Sequence, residues 1–188
     1  MPLDLARAFV AAGAPLVQIR AKQLPSSPLL DLSDRVVQMA AAGRCPVIVN
    51  DRADIARMSQ AAGVHVGQDD LLPREARAIV GSEAIVGYST HTIDQVRAAC
   101  TEPVSYIAVG PVFGTGTKDT GYQAVGLELV TAAAKAAGRI PIVAIGGIKL
   151  ENARSVVDAG AAAVAVISDL LTNGDPRGRI AAYLQALA

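Results

Sequence analysis

Residues 47–56, VIVNDRADIA, pass from an apolar β-branched run straight into an amide, a carboxylate and a guanidinium, with no turn glycine between. In parallel α/β folds ligands bind at the carboxyl ends of strands, so Asn50, Asp51 and Arg52 stand where chemistry is expected. A second acidic corner, Gly67-Gln68-Asp69-Asp70, follows the next apolar run. Two carboxylates from neighbouring strand ends suit Mg2+, which takes one or two carboxylates together with phosphate oxygens and waters. Asp51 with Asp70 is the expected pair, and Asp69 is the weaker candidate. A helix cap at Asn50 or Asp51 and a simple turn at 67–70 are the competing readings.

Gln18, Arg20 and Lys22 alternate with Ile19 and Ala21 after the preceding apolar run. Two cations and an amide on one face suit a diphosphate, gripped bidentately by Arg and as a point charge by Lys. A solvated strand end is the bland alternative. The run Tyr88-Ser89-Thr90-His91-Thr92 reads equally as a helix cap, with His91 structural. The longest irregular piece, GPVFGTGTKDTGYQAVG (110–126), gathers glycines and threonines around Lys118 and suits an anion-binding lid. It lacks the GxxxxGK[ST] pattern, so nucleotide hydrolysis has no support. Gly146-Gly147-Ile148 and Ile167-Ser168 end the last two apolar runs, where barrels of this type hold phosphate on backbone N–H groups. One anion with magnesium and a second without it imply two phosphorylated ligands, and therefore a transferase.

The elements that must position these groups alternate along the chain. Strands are expected at 15–19, 46–49, 64–66, 84–87, 105–109, 141–145 and 162–167. Helices are expected at 2–13, 28–43, 52–62, 73–80, 92–100, 127–137, 150–159 and 176–187. The strands are nearly all apolar, as in a parallel sheet covered on both faces. Gly13, Gly43, Gly63, Gly138 and Gly160 are expected to end helices in a left-handed conformation. Seven strands preceded by a helix predict an α/β chain of one domain over 1–188. Its architecture is a (β/α)8 TIM-type barrel that lacks its first strand in this chain, with a doubly wound open sheet as the alternative.

Composition excludes several classes. The 17 basic and 17 acidic residues cancel without a basic cluster, which gives nucleic-acid binding no electrostatic support. No apolar run reaches the roughly 18 residues of a membrane span, and no signal-peptide pattern opens the chain, so a cytoplasmic location is expected. Cys45 and Cys100 are isolated and read as small buried hydrophobes.

Taken together, QIRAK (18–22), VNDRADIA (49–56), GVHVGQDD (63–70), GYSTHT (87–92), GPVFGTGTK (110–118), AIGGI (144–148) and VAVIS (164–168) resemble the thiamine-phosphate synthase family, in that family's order. The resemblance implies a Mg2+-assisted transferase that joins hydroxymethylpyrimidine diphosphate to a thiazole phosphate, releasing diphosphate and forming thiamine phosphate by a dissociative route. It implies that Gln18, Arg20 and Lys22 hold the diphosphate with Asn50 beside it, and that Asp51 and Asp70 bind Mg2+. Ser89 is implied to face the leaving group or pyrimidine. Thr115, Thr117 and Lys118 are implied to close over the reacting groups, with Lys118, Arg20 and Ser89 nearest the chemistry. Gly147, Ile167 and Ser168 are implied to offer donors to the thiazole phosphate. The chain departs from the family in lacking the strand before helix 2–13 and in carrying Gly114 where proline is common, from which a more mobile lid is expected. A homodimer is plausible on the same resemblance. Competing functions are a thiazole tautomerase using His91 as base, a non-catalytic carrier of phosphorylated thiazole or thiamine phosphate, and, more distantly, a sugar-phosphate isomerase.

Overall fold

Seven short runs rich in Val, Ile and Ala become seven parallel strands, because β-branched side chains pack well on a pleated surface covered from both sides. In the computed structural model, which describes residues 2–114 and 123–188, these are β1 (Val17–Ile19), β2 (Val47–Asn50), β3 (Gly63–Val66), β4 (Ile85–Thr90), β5 (Tyr106–Val109), β6 (Ile142–Ile145) and β7 (Ala163–Ala165). The helices are α1 (Pro2–Ala11), α2 (Ser26–Ala41), α3 (Ala53–Met58), α4 (Pro73–Val80), α5 (Ile93–Ala99), α6 (Gly126–Ala137), α7 (Leu150–Asp158) and α8 (Pro176–Leu187), with a 3₁₀ turn at Ser168–Leu171.

The strands lie in the order β1-β2-β3-β4-β5-β6-β7, each parallel to the next. A doubly wound sheet reverses its order at a switch point, so that alternative is excluded. Among the described residues β1 pairs only with β2, and β7 only with β6. The helical layer continues past these edges, since α1 packs against both α2 and α8. No helix of the described residues is long and apolar enough to cross a membrane.

The core lies between strands and helices. Val49, Val64, Val86 and Ile107 from four successive strands are fully buried, each side chain contributing roughly 1.5–3 kcal/mol relative to exposure. Helix α2 buries Leu29, Ser33, Val36 and Ala40, one turn apart on one face. Ser33 is tolerated there because its hydroxyl donates to the Leu29 carbonyl at 2.8 Å.

Several expectations need correction. Strand β4 runs on to Thr90, so Ser89 lies within a strand rather than beyond its end. Strand β7 is shorter than expected, and the 3₁₀ turn takes over at Ser168. Gly13, Gly138 and Gly160 have positive φ, but Gly43 and Gly63 do not; Arg44 and Gln60 take the left-handed positions at those two joints. Gly63 is needed for space instead: a Cβ there would overlap the backbone of Ile85 on β4. Cys45 is buried, its thiol donating to the Ala14 carbonyl at 3.1 Å and pushed up by burial, whereas Cys100 is only half-buried.

Candidate active site

At the carboxyl ends of the strands lies a cavity of about 340 Å³. Its wall includes Gln18 of β1 with Arg20 and Lys22 after it, Asn50 at the end of β2 with Asp51 after it, and Asp70 after β3. Ser89 of β4, Gly147 after β6, and Ile167 and Ser168 after β7 complete it. Every described residue of the expected site therefore meets in one place. Thr115, Thr117 and Lys118 lie outside the described residues.

Asp51 sits at φ 64°, a left-handed conformation that Asp tolerates better than most residues. This turn lets its N–H donate to the His65 carbonyl at 2.7 Å, prolonging the β2–β3 ladder by one bond. Asp51 does not cap α3, which follows Arg52 without a side-chain cap. Arg52 turns aside to Asp54, at 2.6 Å, and to Ser26, at 3.0 Å, so the guanidinium of VIVNDRADIA is not part of the cavity wall.

Asp51 and Asp70 face one another. Burial pushes the Asp70 carboxyl above its usual range, and the Asp51 carboxylate beside it pushes the same way; the Gly67 N–H and Lys22 oppose them. Gly67 N donates to Asp70 Oδ2 at 2.7 Å, which fixes that side chain within the turn after β3. Lys22 Nζ lies 2.8 Å from Asp51 Oδ2, placing a cation against the acidic corner. Among the described residues no group of three or more His, Cys, Asp or Glu gathers as a metal site. An acidic pair of this kind fits a cation that draws its other ligands from phosphate and water, as Mg2+ does.

One hydrogen-bond chain escaped the sequence reading. Residues Asn50, His65, Gly87 and Tyr106 stand side by side across β2 to β5. Gly87 has no side chain, and a Cβ there would overlap the Tyr106 ring. The gap lets Tyr106 reach across: its hydroxyl is 2.8 Å from His65 Nδ1, and the two rings stack with centroids 5.6 Å apart. His65 Nε2 is 2.8 Å from Ser89 Oγ. Burial pushes the Tyr106 hydroxyl far up, so it keeps its proton at neutral pH and the chain stays hydrogen-bonded. Gln68 Nε2 donates to the Ser89 carbonyl at 2.6 Å. Ser89 is thus fixed from two sides, and Thr92, not Ser89, caps α5 by accepting from Gln95 N. His91 also lines the cavity, its Nδ1 against the Gly110 carbonyl.

The thiamine monophosphate synthase family model matches residues 2–170. The chain belongs to that family. It is 46% identical to a thiamine-phosphate synthase of Koribacter versatilis over 97% of its length and 84% of that protein's. To the Thermus thermophilus enzyme of the same name it is 42% identical, covering 93% of this chain and 83% of the relative. Thiamine phosphate pyrophosphorylase from Pyrococcus furiosus superposes with a TM-score of 0.92 at 27% identity, over all of this chain and 89% of that one. The seven-stranded parallel sheet is thus the TIM-like α/β fold of the thiamine monophosphate synthase family.

Proposed function

We propose that the cavity joins a pyrimidinylmethyl diphosphate to a thiazole phosphate, with Asp51 and Asp70 holding Mg2+ against the leaving diphosphate. The coupling of pyrimidine and thiazole halves is the transferase activity of the family to which this chain belongs. The bond between the methylene carbon and the diphosphate oxygen breaks with both electrons leaving on oxygen. The thiazole nitrogen then donates its lone pair to the pyrimidinylmethyl cation, forming the carbon–nitrogen bond. The electron-rich aminopyrimidine stabilises that cation, so little acid–base chemistry is required.

What this chain supplies is positioning and charge. Arg20 and Lys22, with Gln18 and Asn50, hold the diphosphate, and Lys118 adds a further cation. Bound Mg2+ supplies charge neutralisation on the diphosphate oxygens. Ser89, held by His65 and Gln68, orients the pyrimidine end. Backbone N–H groups at Gly147 and Ile167, with Ser168, receive the thiazole phosphate. The apolar parts of the wall, among them Val143 and Ile145, keep water from the cation.

The seven strands are read as seven positions of a (β/α)8 barrel with one position open between β1 and β7. The packing of α1 on α8 and the cavity shared by β1 and β7 support that reading.

The observation that carries the functional proposal is the mutual approach of the Asp51 and Asp70 carboxylates beside Lys22. A thiazole tautomerase would use His91 and give the acidic pair no work. Thiamine phosphate formation assayed with and without Mg2+ tests the choice: the synthase reading expects formation to stop in chelator and resume on adding the metal. Metal-independent turnover would contradict it.

A further inference from the structure

Asp169 is buried at 6% exposure and takes no part in the chemistry above. It nevertheless collects donors from two elements, α8 and α7. Arg179 of α8 donates through Nη2 to Oδ1 at 3.0 Å and to Oδ2 at 2.8 Å, and through Nε to Oδ2 at 3.1 Å. Tyr183, one turn further along α8, donates its hydroxyl to Oδ2 at 2.5 Å. The Leu150 N–H, at the first residue of α7, donates to Oδ2 at 3.2 Å. Asp169 follows Ser168 directly, and Leu150 lies three residues after Gly147. One carboxylate therefore ties both loops of the phosphate cradle, after β6 and after β7, to α8.

We propose that Asp169 is a positioning residue for phosphate recognition: with Arg179 and Tyr183 it sets the spacing between the Gly147 and Ser168 sides of the cradle. This inference rests on reading those residues as the thiazole-phosphate site. The physical reason is that backbone donors on two separate loops converge on one phosphate only if the loops share a rigid support. Each loop's own turn fixes its local shape but not its distance from the other. A buried carboxylate carrying charge-assisted bonds from both sides supplies that support. Arg179 gives its Nε and Nη2 donors to Asp169 and is not part of the cavity wall. The guanidinium lies over the Tyr183 ring at 5.9 Å, so the two α8 partners also brace each other.

Steady-state kinetics of the full chain with Mg2+ test the proposal, using thiazole phosphate and the corresponding thiazole alcohol as alternative substrates. Asp169→Asn is expected to lower kcat/KM for thiazole phosphate about tenfold, mainly through KM. The KM for pyrimidine diphosphate and kcat/KM for the alcohol should stay within about twofold, because neither uses the cradle. Tyr183→Phe, which keeps the Arg179 bridge, should show the same selective shift at about threefold, and covers the case in which Asp169→Asn fails to fold. Equal losses with phosphate and alcohol substrates in these variants, or no loss, would overturn the proposal. Ser168→Ala separates the two levels. If it weakens phosphate discrimination while Asp169→Asn and Tyr183→Phe do not, only the positioning role falls. If Ser168→Ala leaves discrimination unchanged, the cradle reading falls and the proposal with it.

Discussion

Lys22 Nζ rests 2.8 Å from Asp51 Oδ2, joining the cationic patch after β1 to the acidic corner after β2. Both side chains are partly exposed to the cavity, so this contact is a weak and exchangeable one rather than a source of stability. On the proposed reading, a diphosphate entering with Mg2+ would offer each partner a better counter-ion: phosphate oxygens for Lys22, and the metal for Asp51.

Substituting Asp51 separates charge from backbone. Asn accepts the left-handed φ of 64°, so Asp51→Asn should fold normally and lose about 10²–10³-fold in kcat. Asp51→Ala should lose the same activity and also melt lower, since a left-handed conformation costs an alanine roughly 1–2 kcal/mol. Thiazole-phosphate binding by calorimetry should survive both changes. Simultaneous loss of binding in the well-folded Asn variant would mean that the metal corner has been misassigned.

Gly87→Ala tests the chain through His65. The added methyl meets the Tyr106 ring, so Tyr106 must withdraw from His65, whose ring then holds Ser89 less firmly. Each hydrogen bond contributes about 1 kcal/mol, so kcat at saturating substrates should fall about fivefold. His65→Phe, which keeps a stacking ring without the nitrogens, loses both bonds and should fall about 30-fold.

Gly63→Ala has no site consequence but a fold consequence. Its Cβ would collide with the Ile85 backbone rather than with a movable side chain, and strand separation would have to grow locally. Overpacking of this kind costs about 1–3 kcal/mol, and at roughly 2–4 °C per kcal/mol for this chain length the melting temperature should drop by about 2–12 °C. An unchanged melting temperature would show that β3 and β4 can part more easily than their register suggests.

Acid should expose the role of Asp169. Burial pulls its carboxyl up, but the Tyr183 hydroxyl and the Arg179 guanidinium outweigh that and hold it below the usual carboxylate range. A carboxyl depressed in the folded state stabilises above its unfolded value, about 3.9, and loses that contribution as pH falls toward the folded value. The melting-temperature gap between the wild-type chain and Asp169→Asn should therefore be full at pH 6 and narrow below about pH 4. A gap that does not depend on pH would show that the charge of Asp169 is irrelevant to the fold.

The alternation of strands and helices was legible because all-apolar runs and helix-period runs differ in length and pattern. The polar strand ends were legible because each interrupts such a run. His65 was not, since within GVHV a single polar residue reads as core; its meaning depends on Gly87 and Tyr106, which are distant in sequence and adjacent only through register. Ser89 was placed one element too late because Thr90 and Thr92 blur the end of β4. Asp169 was invisible for a similar reason, since its partners Arg179 and Tyr183 are marked only by helical spacing on α8.

The central claim is that Asp51 and Asp70 together hold a divalent cation in the presence of diphosphate. Electron paramagnetic resonance of Mn2+ titrated into the chain with inorganic diphosphate measures it directly, without requiring turnover. The account predicts one bound Mn2+ per wild-type chain, and loss of that bound signal in folded Asp51→Asn and in folded Asp70→Asn. Retention of one tightly bound Mn2+ when both aspartates are replaced would contradict it.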